Sequence, residues 1–330
     1  MNRTNPGAKS GLPDSVRIGM VAPQTRASVN ALEAADVDSL WVGGHLASPR
    51  PSPEPLVWLA RLAEQSEAVT IGTATLVLPW YQPAMAAKQL ADIDRASQGR
   101  LVVGVGAGGE YADDFAAAGV PMEDRGQRLN ESISLLRRFW TSEPVDHSGR
   151  HFHYTGLRIH PPPARRGGPP IVVTGRRTAA MRRAALLGDG WMPYLYSAER
   201  YARSVATIQD VAAAEGRSLE KFLWMAYVMV AVDESLEKAR QKAAQFLGAT
   251  YAQDFTEFVD RVAVAGTLQM VVDRLTAFVR AGARHLVLLP CNTRRTGAWA
   301  DLEHWLPELL AGVRGASTAS EAGDGSTSLQ

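Results

Sequence analysis

Leu40-Trp41-Val42-Gly43-Gly44-His45 is an apolar run that passes through two glycines into a histidine. A short strand with a titratable side chain just past its carboxyl end is how an α/β barrel builds a site. The strand holds the backbone still while the side chain stands in the mouth. Histidine is also the side chain whose unperturbed pKa lets it exchange protons near neutrality. On both sides of this stretch the same unit recurs. Strands are expected at Val16–Ala22, Leu40–Gly43, Val69–Thr75, Leu101–Val105, Ile171–Thr174, Gly190–Pro193, Phe222–Val232 and His285–Pro290, with amphipathic helices between them. Phe222–Val232 is almost wholly apolar, as a strand buried on both faces should be. After it, helices are expected over 234–247, 252–264 and Leu268–Ala281, and a last helix over Asp301–Val313. Eight strands each followed by helix, in about 300 residues, have the size and rhythm of a (β/α)8 TIM barrel.

One segment breaks the alternation. Thr141–Pro170 holds two short β-prone pieces around Asp146-His147-Ser148-Gly149-Arg150, then Pro161-Pro162-Pro163 and Pro169-Pro170. It reads as a β-hairpin inserted after the fourth βα unit, with an extended proline-rich return. No linker divides the chain, so a single domain is expected over 15–314, with the insertion at about 141–170. Residues 1–14 read as a flexible leader. Residues 315–330 are too small and polar to bury apolar surface and read as a disordered tail.

Hydrophobic residues make up 46% and charged ones 21%, which excludes a largely disordered chain. The formal charge of +1 leaves no electrostatic footprint for nucleic acid or an anionic membrane. No apolar run approaches the roughly 20 residues that cross a bilayer, and 1–14 contains no apolar signal core. A single cysteine, Cys291, excludes an internal disulfide framework and a thiolate metal cluster. The expected location is cytoplasmic, with no nucleic-acid or membrane partner.

Leu101-Val102-Val103-Gly104-Val105-Gly106-Ala107-Gly108-Gly109 satisfies the spacing G-x-G-x-x-G. A dinucleotide fingerprint needs a helix beginning at once and a second strand ending in an acid about twenty residues on. Glu110–Pro121 reads instead as a loop or irregular helix, with the next clear helix near Arg125. The glycines serve close approach better: without Cβ atoms, the end of the fourth strand lets a flat aromatic ring lie against its backbone. After the fifth strand, Thr174-Gly175-Arg176-Arg177-Thr178 leads straight into a helix, with Thr178 as the expected N-cap. The free amides of a helix start carry about half a unit of positive charge and suit phosphate. Arg176 and Arg177 would add charge-assisted bonds.

Together these pieces resemble the bacterial-luciferase-like superfamily of flavin- and deazaflavin-dependent oxidoreductases. The likeness rests on Val37-Asp38-Ser39-Leu40-Trp41-Val42 with His45, on Thr70-Ile71-Gly72-Thr73-Ala74-Thr75-Leu76-Val77-Leu78-Pro79, and on Ala87-Lys88-Gln89 through Ser97-Gln98-Gly99-Arg100-Leu101. It continues through Gly104 to Gly108, Gly175 to Thr178, Arg183-Ala184-Ala185, Gly188-Asp189-Gly190-Trp191 and Ala281-Gly282-Ala283 with His285-Leu286-Val287-Leu288. It covers about 16–313. The resemblance implies a barrel whose mouth holds a flavin-like tricyclic ring. Ala74 and Thr75 lie where members use a non-prolyl cis peptide to back the ring, with Gly106, Ala107 and Gly109 beside it. Gly175, Arg176, Arg177 and Thr178 would take the cofactor phosphate. The segment Gly188-Asp189-Gly190-Trp191-Met192-Pro193 is more similar to members using coenzyme F420 than to FMN monooxygenases, so F420 is the expected cofactor and FMN the alternative.

A deazaflavin has carbon where flavin has nitrogen, so it carries hydride and reacts poorly with oxygen. The resemblance thus implies hydride transfer between F420 and a small organic substrate. His45 falls where the deazaflavin sugar-phosphate dehydrogenases carry a histidine that acts as acid or base, a role worth about 10²–10⁴ in rate. The alternatives are an FMN-dependent monooxygenase supplied by a separate reductase, and a non-catalytic flavin-binding barrel. Departures from those dehydrogenases are clear: Gly44 stands where they carry aspartate, and Pro49 where they carry tryptophan. Their glutamate after the glycine cluster falls at Gly109, with Glu110 one step off; Glu110 is the candidate second acid or base. Glucose 6-phosphate is therefore not the expected substrate.

Other residues are set aside. His147, His151, His153 and His160 lack a completing acid or cysteine, so no metal site is expected. Cys291 reads as packing. Phe222, Trp224, Tyr227 and Met229 fill the barrel, while Trp80, Tyr81, Trp191, Tyr194 and Tyr196 are candidate pocket walls, about half of them structural. The hairpin and apolar helical faces could support a homodimer.

Overall fold

The computed structural model describes residues 16–47, 52–291 and 304–316. Its strands are β1 (Arg17–Val21), β2 (Ser39–Val42), β3 (Thr70–Thr73), β4 (Leu76–Val77), β5 (Leu101–Gly106), β6 (Val145–Ser148), β7 (His153–Leu157), β8 (Ile171–Thr174), β9 (Gly190–Met192), β10 (Leu223–Val232), β11 (Ala263–Gly266) and β12 (His285–Pro290). Eight of them, in the order β1-β2-β3-β5-β8-β9-β10-β12, pair in parallel and close on themselves through β12 and β1. Outside pack the helices α1 (Arg26–Ala34), α2 (Pro55–Gln65), α3 (Pro83–Ala96), α4 (Ala112–Ala118), α5 (Arg125–Phe139), α6 (Thr178–Leu187), α7 (Ala198–Ala214), α8 (Leu236–Tyr251), α9 (Val259–Val262) and α10 (Leu268–Arg280), so the molecule is the expected (β/α)8 barrel with extra strands.

Side-chain parity along β2 explains the architecture. Leu40 and Val42 face outward into the helix-covered core, whereas Trp41 packs inside the barrel with Val102, Val172, Met192, Met225 and Val287. A Cβ on Gly72 would stand 2.4 Å from the Trp41 ring, so the indole fits only because β3 carries glycine there. Beneath it, the Ser39 hydroxyl lies 2.7 Å from both Trp41 Nε1 and His285 Nε2. His285 is buried at the start of β12, and burial, reinforced by nearby Arg17, holds its pKa well below the usual histidine value.

Two expectations need correction. The helix expected over 252–264 exists only as α9 (Val259–Val262); Ala263–Gly266 is β11. β10 is ten residues long and its last four, Met229–Val232, run past β9 and leave an edge of unpaired backbone groups. β11 fills that edge, because buried backbone donors and acceptors must be paired. The stretch after the glycine cluster is likewise a true helix, α4 (Ala112–Ala118), ended by Gly119 in the left-handed conformation. The next elements are a 3-10 turn (Met122–Asp124) and α5 (Arg125–Phe139) rather than a second strand ending in an acid, so the fingerprint reading still fails.

The hairpin β6–β7 is antiparallel and clipped to α5. The Glu131 carboxylate lies 2.7 Å from His147 Nε2 and accepts the amides of His151 and Phe152. The expected last helix is present over 304–316, so positions 315 and 316 of the expected tail are helical. The leader 1–14 and residues 317–330 lie outside the described residues.

Candidate functional site

The parity that puts Ser39 and Trp41 inside the barrel carries on past the strand, so Gly43 and His45 leave β2 toward the mouth. A Cβ on Gly43 would stand 2.7 Å from Ala74 O, which brings the β2 exit against the β3 exit. There the Ala74–Thr75 peptide is cis, between β3 and β4. The Thr75 hydroxyl donates to Gly104 O at 3.1 Å, and Thr174 Oγ1 lies 3.0 Å from it at the end of β8. A Cβ on Gly106 would come 2.7 Å from Thr174 Oγ1 and 3.1 Å from Thr75 Cγ2. Gly43, Ala74, Thr75, Gly106 and Thr174 therefore form one continuous floor of small groups.

His45 stands at its edge, its side chain 30% exposed. Nδ1 lies 2.8 Å from Asp114 Oδ2, and Nε2 lies 3.9 Å from Glu110 Oε2. The ring meets Tyr111 edge-on, with centroids 4.9 Å apart. The structure thus brings both candidate acid–base residues together. Sequence reasoning missed Asp114, which sits in the first turn of α4 and is 1% exposed. Its other oxygen accepts the Leu46 and Ala47 amides at 2.8 and 2.7 Å.

Phenols surround Glu110. Burial pushes the Tyr194 hydroxyl up to about 12, and the Glu110 carboxylate, by charge and by hydrogen bond, pushes it the same way. Tyr227 and Tyr251 are raised as well, by burial first, with Glu110 contributing to each. Tyr111 donates to Thr250 O at 2.9 Å, tying the loop that carries Glu110 to the end of α8 (Leu236–Tyr251). Of the other aromatic candidates, Trp191 and Tyr196 are buried against one another, Tyr81 bonds to Glu54, and Trp80 packs on Phe115.

The fifth barrel strand, β8, leads through Gly175, at φ 127°, into α6 (Thr178–Leu187). Arg177 occupies the N-cap and Thr178 is the first helical residue, which corrects the expected cap. No side chain caps this helix. The neighbouring carbonyls are engaged from outside: Trp191 Nε1 donates to Gly175 O at 2.9 Å, and the Tyr196 hydroxyl to Arg176 O at 3.2 Å. The Ala180 amide turns back to Arg177 O at 2.8 Å, which leaves the Thr178 and Ala179 amides as the donors suited to an anion, with Arg177 exposed beside them and Arg176 lying 5.2 Å over the Tyr194 ring. Ala107 packs on the core, and Gly109, at φ 112°, lies against the Arg125 guanidinium. Among the described residues, no group of three or more His, Cys, Asp or Glu side chains could hold a metal ion, and no helix is long and apolar enough to cross a membrane.

The sequence profile of the luciferase-like monooxygenase family matches residues 4–285. The chain belongs to that family. Among curated proteins, this luciferase-like chain is similar to an F420-dependent glucose-6-phosphate dehydrogenase of Amycolatopsis mediterranei, 34% identical over 136 residues. That match covers 39% of this chain and 40% of the relative, so it spans well under two thirds of the relative's length. The protein of the same description from Nocardia farcinica is 27% identical over 270 residues, 74% of this chain and 78% of the relative. Among solved structures, an F420-dependent secondary alcohol dehydrogenase in complex with an F420-acetone adduct aligns with a TM-score of 0.79 at 18% identity, over 91% of this chain and 99% of that one. The likeness to that structure shows a shared fold.

Proposed function

We propose that this luciferase-like protein transfers hydride between coenzyme F420 and a small organic substrate, with His45 giving or taking the accompanying proton. The observation that carries this reading is the pairing of His45 Nε2 with Glu110 Oε2, 3.9 Å apart, at the edge of a floor of small groups in the barrel mouth. Proton-exchanging side chains at that rim are what barrel chemistry requires. Similarity to the F420-dependent dehydrogenases supports the choice of cofactor.

The residues present fit such a cofactor. The uncapped start of α6 with Arg176 and Arg177 suits its phosphate, and Ala74, Thr75 and Gly106 suit the face of a flat ring. When bound, the deazaflavin supplies a carbon that carries hydride and reacts slowly with oxygen. His45 handles the proton at Nε2, beside Glu110. The Tyr194 hydroxyl, raised by burial and by the Glu110 carboxylate, stays protonated beside it. Gly44 and Pro49 replace the aspartate and tryptophan of the sugar-phosphate dehydrogenases, so the substrate is a molecule other than glucose 6-phosphate.

Separate titrations with F420 and FMN, followed by quenching of tryptophan fluorescence, test the reading. Quenching by F420 and not FMN supports it. Quenching by FMN alone replaces it with the monooxygenase alternative, in which oxygen is consumed with separately supplied reduced FMN. Binding of neither removes the enzyme reading.

A further inference from the structure

We infer that Asp114 is a positioning residue that decides which nitrogen of His45 meets the substrate, an inference that rests on His45 being the proton-exchanging group. An ionised carboxylate only accepts hydrogen bonds. Asp114 Oδ1 already accepts the Leu46 and Ala47 amides, at 2.8 and 2.7 Å, and Oδ2 faces His45 Nδ1 at 2.8 Å. Nδ1 must therefore carry a hydrogen. In a neutral imidazole the other nitrogen then has none, so Nε2 turns a bare lone pair toward the mouth and Glu110.

The Asp114 side chain is 2% exposed, so water does not compete for these bonds, and a charge-assisted bond in such surroundings is stronger than a neutral one. The strand alone does not aim the ring, because two glycines separate His45 from β2. One carboxylate supplies the missing constraint twice, gripping the imidazole and the backbone of the two residues after it. Asp114 touches neither the floor residues nor Glu110 in any of these contacts. It acts through His45.

Asp114→Asn separates the two grips. Its amide oxygen can go on accepting the Leu46 and Ala47 amides, but its NH2 then faces Nδ1 as a donor. The imidazole has to move its hydrogen to Nε2. Protein carrying ¹⁵N-labelled histidine, raised to a pH where the ring is neutral, reads this by NMR, since the ring nitrogen without hydrogen resonates well downfield. His45→Gln assigns the His45 signals among the seven histidines. The expected result is a hydrogen on Nδ1 in the unsubstituted protein and on Nε2 in Asp114→Asn, with the His285 and His147 signals unmoved as a check on folding. Hydrogen on Nε2 in the unsubstituted protein overturns the inference, even where the variant does not fold. The same tautomer in both proteins overturns it too. The measurement needs neither cofactor nor turnover, so failure to bind F420 leaves it standing, and its own failure leaves the cofactor reading intact.

Discussion

His45 continues the inward parity of Ser39 and Trp41, and the fold sets Asp114, 69 positions away in sequence, against its ring. His45→Gln keeps a polar side chain of similar size but no titratable nitrogen. F420 affinity is expected to hold while turnover with a competent substrate drops by about 10²–10⁴-fold. A parallel loss of cofactor affinity would show instead that the ring serves binding. His285 makes a prediction about stability. Burial keeps it neutral when folded, whereas the unfolded chain protonates it near pH 6.5. Below that pH the unfolded state binds the extra proton, so this contribution is intact above about pH 6.5 and declines as pH falls, by up to about 1.4 kcal/mol per unit for one proton. His285→Gln should lower stability at pH 8 and flatten its decline toward pH 5.5 in urea titrations. An equal slope in both proteins would place the acid sensitivity elsewhere.

At the scale of elements, strands were legible because buried parallel strands are continuous apolar runs, and the hairpin because its prolines break the alternation. The helix α4 left usable signals: Asp113 and Asp114 in the first turn and Gly119 just past the end. β11 left none, since Ala263-Val264-Ala265-Gly266 suits helix or strand, and the choice is made by the unpaired end of β10. The hairpin yields its own prediction. Burial raises the Glu131 carboxyl, but His147 and the His151 and Phe152 amides outweigh it and hold it below its ordinary value. Its contribution is therefore present above the usual glutamate range and lost as pH falls through the lowered value. Glu131→Ala leaves those donors without an acceptor, which costs about 1–3 kcal/mol for each that stays buried. Hydrogen exchange should accelerate across β6 and β7 and stay unchanged in β5 and β8. Faster exchange throughout the barrel would mean that the clip supports the whole fold.

For the whole molecule, what matters is that all eight barrel strands run parallel. Their carboxyl ends share one rim, so segments around 45, 74, 106, 175 and 194 are forced together despite their separation in sequence. The list of rim segments was legible from strand order alone; which side chains touch across the rim was not, because that depends on stagger between strands. Thr174, three residues before the Arg177 N-cap of α6, lies against Thr75, so the floor and the helix start are near enough to serve one ligand, and the proposed F420 would lay its ring on the floor and its phosphate at Arg176 and Arg177. This can be separated experimentally. F420 and its riboside, which lacks the phosphate, should differ in affinity for the unsubstituted protein. In the double variant Arg176→Ala, Arg177→Ala, loss of charge-assisted bonds worth about 1.5–3 kcal/mol should weaken F420 binding by roughly 10–100-fold. The riboside, with nothing for the arginines to hold, should bind both proteins equally in calorimetric titrations. If the riboside weakens as much as F420, the arginines act on the shape of the mouth rather than on the phosphate, and the anion has to be sought at another part of the rim.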